Sequence, residues 1–192
     1  MLRRMMMAGV GAGPAPGGSD PLFGYVEALI KFGPAGVTDV TGKRTWQLQT
    51  GAAITDARGV FGGWSLSPGN SAALVSPTTP SGISKLATRG EHFCAEGWVY
   101  FDPDQTGRTG GACVISHSGE NGDGDIWLGI RADNKPAFAR GANVIYPTTQ
   151  TSVGIAGSKA LPRGAWHHLA VSWDGAGFTL YANGAQVGYK AS

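Results

Sequence analysis

Short runs of alternating apolar and polar residues follow one another along most of the chain, separated by clusters of glycine, proline, asparagine and aspartate. A period of two is typical of strands that pack one face on a core, and the clusters are typical of turns. The runs predict strands at 25–32, 45–48, 52–55, 64–66, 72–75, 92–101, 112–117, 125–131, 137–140, 143–146, 166–173, 178–182 and 185–188. We find no amphipathic helical period, so the pattern predicts an all-β sandwich or barrel.

The run His92–Phe101 is the strongest predicted strand, because both of its faces carry apolar or aromatic side chains. One face carries Phe93, Ala95, Gly97, Val99 and Phe101, and the other carries Cys94, Trp98 and Tyr100. A strand that is apolar on both faces is expected at the centre of a sandwich with a covered outer surface.

The run Trp166–Trp173 places two adjacent histidines on opposite faces of one strand. We expect one of His167 and His168 to be buried with a hydrogen-bond partner and the other to lie near the surface; metal binding is the alternative. Trp98, Trp166 and Trp173 are expected in the core. Further along, Asn183-Gly184 between two strand-like runs predicts a type I′ hairpin turn.

The composition suits one domain with a sizeable core, because 42% of the 192 residues are hydrophobic. The net charge of +2 comes without a basic stripe, which argues against a nucleic-acid partner. No apolar run approaches the roughly 18 residues that span a bilayer, so no membrane association is expected.

Residues 1–19 are predicted to be a flexible arm, and residues 20–192 to be the folded domain. Glycines and prolines follow the first seven residues and interrupt the apolar stretch that a signal peptide needs. The residues of this arm that we expect to anchor the chain to a neighbour are Leu2, Arg3, Arg4, Met5, Met6 and Met7.

Two cysteines, Cys94 and Cys113, are expected to be free and buried, in a protein assembled inside a cell. If 92–101 and 112–117 formed a hairpin, Cys113 would lie opposite Tyr100, about 20 Å along the strand from Cys94. A disulfide needs Cα atoms within about 7 Å of each other.

Three segments resemble laminin-G-like jelly rolls of the concanavalin A-like kind: Gly164–Gly175 with Phe178–Gly184, Phe93–Tyr100, and Trp127–Ile130. The segments Asp20–Phe23, Val26–Phe32, Thr38–Gly42 and Phe61–Leu66 resemble the version of this domain in tailed-phage virion proteins. The resemblance covers about residues 20–188 and implies an antiparallel β-sandwich jelly roll with a flexible N-terminal arm.

The phage resemblance implies a non-enzymatic structural protein of a virion, as a capsid decoration, fibre or tail element assembled in the host cytoplasm. Its expected partners are other virion subunits, as a homo-oligomer or a capsid or tail neighbour, with a host glycan as a further ligand. The alternative is a carbohydrate-binding, lectin-like module. Family members usually continue into one more closing strand, so we expect another chain or the arm to fill that place.

A glycosidase of this architecture would need paired carboxylates on one strand. This chain has four glutamates, and none is followed two residues later by an aspartate: Glu27, Glu91, Glu96 and Glu120. The nearest pair, Asp102 and Asp104, flanks a proline. A retaining enzyme needs carboxyl groups about 5–5.5 Å apart, so we expect no enzymatic activity.

Two candidate binding sites remain in loops and short segments. No cofactor is expected to be required, but Asp123 and Asp125 lie in a glycine-rich loop whose oxygen ligands would suit Ca²⁺; a polar hairpin loop is the simpler alternative. Trp46 and Tyr146 lie in short segments with polar flanks, where exposed rings would stack on sugars.

Overall fold

The computed structural model describes residues 3–7, 26–60, 63–68, 74–76, 92–103, 112–117, 126–140 and 154–191. Every regular element in these ranges is a strand: β1 (Arg3–Met7), β2 (Val26–Gly33), β3 (Gly36–Asp39), β4 (Gln47–Leu48), β5 (Ala53–Thr55), β6 (Ser65–Ser67), β7 (Leu74–Val75), β8 (Phe93–Phe101), β9 (Ala112–His117), β10 (Ile126–Ile130), β11 (Pro136–Arg140), β12 (Gly154–Ala156), β13 (Ala165–Trp173), β14 (Gly177–Ala182) and β15 (Ala185–Ala191). The all-β prediction is confirmed. The chain divides into an N-terminal unit, Arg4–Pro80, and a C-terminal unit that consists of Ser81–Ser192 together with Met1–Arg3.

The C-terminal unit is a sandwich of two antiparallel sheets. We call β15-β14-β13-β8 the front sheet and β12-β11-β10-β9 the back sheet, each written in its spatial order. The rings of Phe138 in the back sheet and Phe178 in the front sheet lie 5.1 Å apart between centroids. The inner faces of the two sheets therefore share one core.

The core follows the two-residue alternation of the sequence. The buried inward-facing residues of the front sheet include Phe93, Ala95, Leu169, Val171, Trp173 and Leu180, and those of the back sheet include Ile126, Leu128, Ile130, Phe138 and Ile155. Burying each large aliphatic or aromatic side chain contributes about 1.5–3 kcal/mol, so these alternating runs are the main source of stability.

Burial on both faces occurs in the back sheet. All five residues of β10 are buried, including Trp127 at 2% exposure on the face that points away from Leu128. The sequence predicted such two-sided covering for His92–Phe101. In β8 the second face is only half-buried at Trp98 and Tyr100, so the covered outer surface predicted for this strand is not found there and occurs instead at β10.

The N-terminal unit contains three short groups of strands. β1 runs parallel to β2, from Arg4 opposite Val26 to Met7 opposite Ile30, and β3 pairs antiparallel with β2. Two further antiparallel pairs are β4 with β7 and β5 with β6. Part of the predicted arm is thus a strand, while the expected boundary at residues 19 and 20 lies outside the described residues.

The hairpin predicted between 92–101 and 112–117 is wrong. β8 pairs with β13 in the front sheet, whereas β9 pairs with β10 in the back sheet. The prediction failed because two strands that follow each other along a chain need not be neighbours in a sandwich. Both cysteines are free thiols, but Cys94 is half-buried and Cys113 is exposed, so the expectation of buried thiols is also wrong.

Candidate functional site

The outer face of the front sheet, which points away from the core, carries a row of aromatic side chains. Cross-strand pairing places Trp166 opposite Tyr100, His168 opposite Trp98, and Ala170 opposite Glu96. The inward residues of the same strands alternate with them, as the period of two requires. We call Glu96, Trp98, Tyr100, Trp166 and His168 the outer-face cluster.

The members of the outer-face cluster contact one another as edge-to-face and tilted rings. The rings of Tyr100 and Trp166 are 5.7 Å apart with an interplanar angle of 65°, and those of Trp98 and His168 are 5.2 Å apart at 45°. Aromatic pairs at such distances contribute about 0.5–1.5 kcal/mol beyond burial. These contacts fix the orientation of the rings, so the cluster is organised without a ligand.

A carboxylate lies at one end of the cluster. Oε2 of Glu96 is 3.5 Å from Nε2 of His168, and the side chains are 10% and 24% exposed, respectively. Glu96 is 8% exposed and Ala170, opposite it on the adjoining strand, is 6% exposed, so this end of the cluster is covered. Tyr181 lies opposite Ala170 on β14. The cluster thus combines aromatic ring faces with hydrogen-bonding groups at its edge.

The neighbouring histidine belongs to the core. His167 is 3% exposed, its Nε2 lies 2.8 Å from the carbonyl oxygen of Pro162, and its Nδ1 lies 3.2 Å from Nδ2 of Asn183. The prediction of one buried, hydrogen-bonded histidine and one near the surface is confirmed. Both ring nitrogens of His167 are satisfied by protein groups, which argues against metal binding there.

Trp46, a predicted glycan-binding residue, lies in the N-terminal unit. It is half-buried, and its Nε1 lies 3.4 Å from Oδ2 of Asp39. Oδ1 of Asp39 also accepts hydrogen bonds from the backbone N–H and the hydroxyl of Thr41. Asp39 therefore organises the turn after β3, and Trp46 contacts this turn.

The other predicted site residues fall mostly outside the described part of the chain. Tyr146, Asp123, Asp125 and Leu2 are not among the described residues, so the calcium loop and half of the glycan pair remain predictions. Among the described residues no group of three histidine, cysteine or carboxylate side chains is arranged to hold a metal ion. The backbone of Arg3–Met7 forms β1.

Sequence reasoning missed the outer-face cluster by assigning its tryptophans to the core. That assignment is right for Trp173, which is 4% exposed, but wrong for Trp98 and Trp166, which are half-buried and point outward. The signal was present in the alternation: the inward face of β13 already carries Leu169 and Val171, so Trp166 must face the other way.

A comparison with protein-family models matches residues 69–192, more than half of the chain, to the family described as the concanavalin A-like lectin/glucanases superfamily. The matched segment includes residues 81–192 of the C-terminal unit, with both sheets and the outer-face cluster. No curated protein matches the chain. In the described residues we find no helix with the length and apolar character to cross a membrane.

Proposed function

The chain belongs to the concanavalin A-like lectin/glucanase superfamily, and on this basis we propose that it is a non-enzymatic module that binds carbohydrate through the outer-face cluster. The observation that carries the proposal is the pre-arranged row of Trp98, Tyr100 and Trp166, all half-buried on one sheet face. Ligand sites combine apolar and aromatic surface with a few placed polar groups.

The cluster offers both kinds of contact that a sugar ring needs. The apolar C–H face of a pyranose would stack on the accessible part of the Trp166 indole, and the ring hydroxyls would bond to His168, whose side chain is 24% exposed and contacts the buried Glu96 carboxylate. The contact between the Glu96 and His168 side chains, 3.5 Å apart, holds the polar groups in place. Fixed groups lose little conformational entropy on binding, which favours affinity.

The same contact supports binding rather than hydrolysis. Glycoside hydrolysis needs two carboxyl groups on either side of the scissile bond. In the outer-face cluster Glu96 is the one carboxylate, and its neighbour is an imidazole. Calcium bound by Asp123 and Asp125, and sugar contacts from Trp46 and Tyr146, remain additional proposals.

The test is a glycan array followed by calorimetry on Trp166→Ala, with Leu48→Ala, at an exposed apolar side chain of the N-terminal unit, as the control. We expect Trp166→Ala to lose at least tenfold in affinity while near-ultraviolet circular dichroism still reports a folded chain. Leu48→Ala should bind as the unmodified chain does. Equal binding by the unmodified chain and Trp166→Ala would overturn the assignment of the site.

A second proposal concerns the setting in which the module works: a virion structural protein held to its neighbours by its N-terminal arm. The pairing of Arg3–Met7 with β2 supports it, since this segment already engages a sheet through its backbone. In a particle, the segment would exchange its place beside β2 for a place in the sheet of a capsid or tail neighbour, where the same backbone groups would pair.

Light scattering on the full chain and on a chain lacking residues 1–19 tests this proposal. We expect an assembly that depends on the arm. Identical masses for the two chains would argue against the arm as the anchor, and the glycan measurements above would be unaffected.

A further inference from the structure

His168 has one ring nitrogen that contacts the protein and one that is open to a ligand. Nε2 lies 3.5 Å from Oε2 of Glu96. Among the described side chains, the buried polar atoms without a hydrogen-bond partner are the indole nitrogens of Trp127 and Trp173. Nδ1 of His168 has no partner within the described residues either, yet it is not one of these buried atoms, so solvent reaches it.

The remaining groups of His168 are held in place by the protein. Its backbone N–H donates to Oδ1 of Asn183 at 2.9 Å, and its carbonyl oxygen accepts the backbone N–H of Asn183 at 2.8 Å. Its ring packs against Trp98, with 5.2 Å between the ring centroids. Nδ1 is therefore the hydrogen-bonding atom of His168 that a ligand can use.

The carboxylate of Glu96 decides which nitrogen of His168 carries the proton. An ionised carboxylate only accepts hydrogen bonds, and a neutral imidazole has one N–H donor and one acceptor nitrogen. A protonated Nε2 directs an N–H at Glu96, whereas an unprotonated Nε2 would direct its lone pair at the carboxylate oxygen. The Glu96 side chain is only 10% exposed, so water screens this difference poorly. In the neutral ring Nε2 thus carries the proton, and Nδ1 is an acceptor.

We propose that Glu96 is a positioning residue that makes Nδ1 of His168 a hydrogen-bond acceptor, and that the outer-face cluster thereby selects glycans with a free hydroxyl at the position that meets this atom. The inference rests on the proposed function and adds the class of ligand. A hydroxyl donates to Nδ1, whereas an ether oxygen, a carboxylate or a sulfate offers acceptors only. The negative charge of Glu96 also repels the two anionic groups, so the site binds neutral sugars and refuses acidic ones.

The protonation of the ring is measured without a ligand, by long-range proton–nitrogen correlation NMR on the folded chain at pH 8. We expect Nε2 of His168 to be protonated and Nδ1 to be unprotonated, with the signals assigned by their loss in His168→Phe. His167 is the internal control, because its Nε2 faces the carbonyl oxygen of Pro162 and must give the same pattern. A proton on Nδ1 of His168 would overturn the proposal, whichever glycan binds.

Glu96→Met tests whether this carboxylate sets the tautomer. The substitution keeps the length of the side chain but removes the charge and both oxygen acceptors. We expect the ring of His168 to become a mixture of the two tautomers, while unchanged signals of His167 show that the strand is still folded. A His168 ring that kept its proton on Nε2 as fully as before would show that Glu96 is not the positioning residue.

Deoxyfluoro sugars test the class of ligand, because fluorine in place of a hydroxyl can accept a hydrogen bond but cannot donate one. The probes are the methyl glycosides of glucose, mannose and galactose and their monodeoxyfluoro analogues, titrated by NMR. We expect one position at which fluorine weakens binding roughly tenfold, since it leaves the acceptor nitrogen unpaired. This penalty should disappear in His168→Phe, which has no ring nitrogen.

The outcomes separate this inference from the proposed function. Equal binding of every fluorinated analogue and its parent sugar would overturn the selection of a hydroxyl and leave the sugar site intact, and tighter binding of the corresponding methyl uronides would do the same. If neither the three parent sugars nor any glycan of the array bound, the sugar site itself would be overturned, and the inference with it.

Discussion

Asn183, in the turn between β14 and β15, contacts the buried ring of His167 on β13 through its side-chain amide. Its Nδ2 lies 3.2 Å from Nδ1 of His167, while its Oδ1 accepts the backbone N–H of His168 at 2.9 Å. The orientation of the amide is thereby fixed. Because the carbonyl of Pro162 only accepts, Nε2 of His167 carries the proton and Nδ1 accepts from Asn183. One turn residue thus ties β14–β15 to β13.

Removal of this amide is predicted to destabilise the C-terminal unit. Asn183→Ala leaves Nδ1 of His167 buried without a partner and places alanine at a φ of 51°. We expect a loss of about 1–3 kcal/mol in the free energy of unfolding, measured by urea denaturation, from the orphaned acceptor and the left-handed backbone.

Asn183→Gly separates the two causes. Glycine adopts the positive φ without strain, so this variant loses only the side-chain bonds. We expect its stability to fall between those of the unmodified chain and Asn183→Ala. If Asn183→Gly were as stable as the unmodified chain, the amide would contribute nothing and the tie to His167 would be irrelevant to stability.

The strands that could be predicted from the sequence are those in which apolar and polar residues alternate because one face of the strand packs on the core. Val26–Gly33, Ala165–Trp173 and the Asn183-Gly184 turn were found to within one residue, because an apolar face and a turn residue with positive φ both act locally. β3 and β12 were missed: Gly-Val-Thr-Asp and Gly-Ile-Ala each begin with glycine and carry one large apolar side chain, so neither shows an alternation.

Which strands become neighbours could not be predicted from the same signals. Pairing depends on long-range packing, so β9 joined β10 in the back sheet rather than β8. The outer-face cluster could not be predicted for the same reason. Trp98 and His168 are 70 residues apart along the chain and become neighbours only because β8 pairs with β13 in this register. The facing of each side chain was predictable, whereas the partner across the sheet was not.

A side chain at Gly129 is predicted to disrupt the back sheet. A Cβ atom there would collide with the carbonyl oxygen of Ala112 and stand 2.8 Å from the indole of Trp127. We expect Gly129→Ala to lose about 1–3 kcal/mol, measured by urea denaturation. Gly33→Ala is the control, since a Cβ there meets no atom within 4 Å; a loss as large in this variant would contradict the packing argument.

Acid is predicted to weaken the turn between β13 and β14. The backbone N–H groups of Ala176 and Gly177 donate to the Asp174 carboxylate and lower its pKa below the ordinary value. The unfolded chain therefore binds this proton more readily, so the carboxylate stabilises the fold above about pH 4. That contribution is lost as the pH falls through the folded-state pKa.

Thermal unfolding of Asp174→Asn between pH 2 and pH 6 checks this. We expect its melting temperature to depend less on pH in the acid range than that of the unmodified chain. Asp56→Asn, at another exposed position, controls for the loss of one negative charge. A pH dependence identical to that of the unmodified chain would show that the Asp174 turn carries no acid sensitivity.

Cys113 is predicted to react slowly with alkylating agents although part of the residue is exposed. Desolvation by the surrounding protein raises the pKa of its thiol from 9.0 to about 11, while a hydrogen bond from Ser116 acts in the opposite direction. Since the thiolate is the reactive form, the raised pKa lowers its population at pH 8 by about 100-fold.

In a Cys94→Ser background, we expect iodoacetamide to label Cys113 at least tenfold more slowly in the folded chain than in denaturant. Ser116→Ala removes the bond that favours the thiolate and should slow labelling further. Rapid labelling of the folded chain, or faster labelling after Ser116→Ala, would mean that desolvation does not control this thiol.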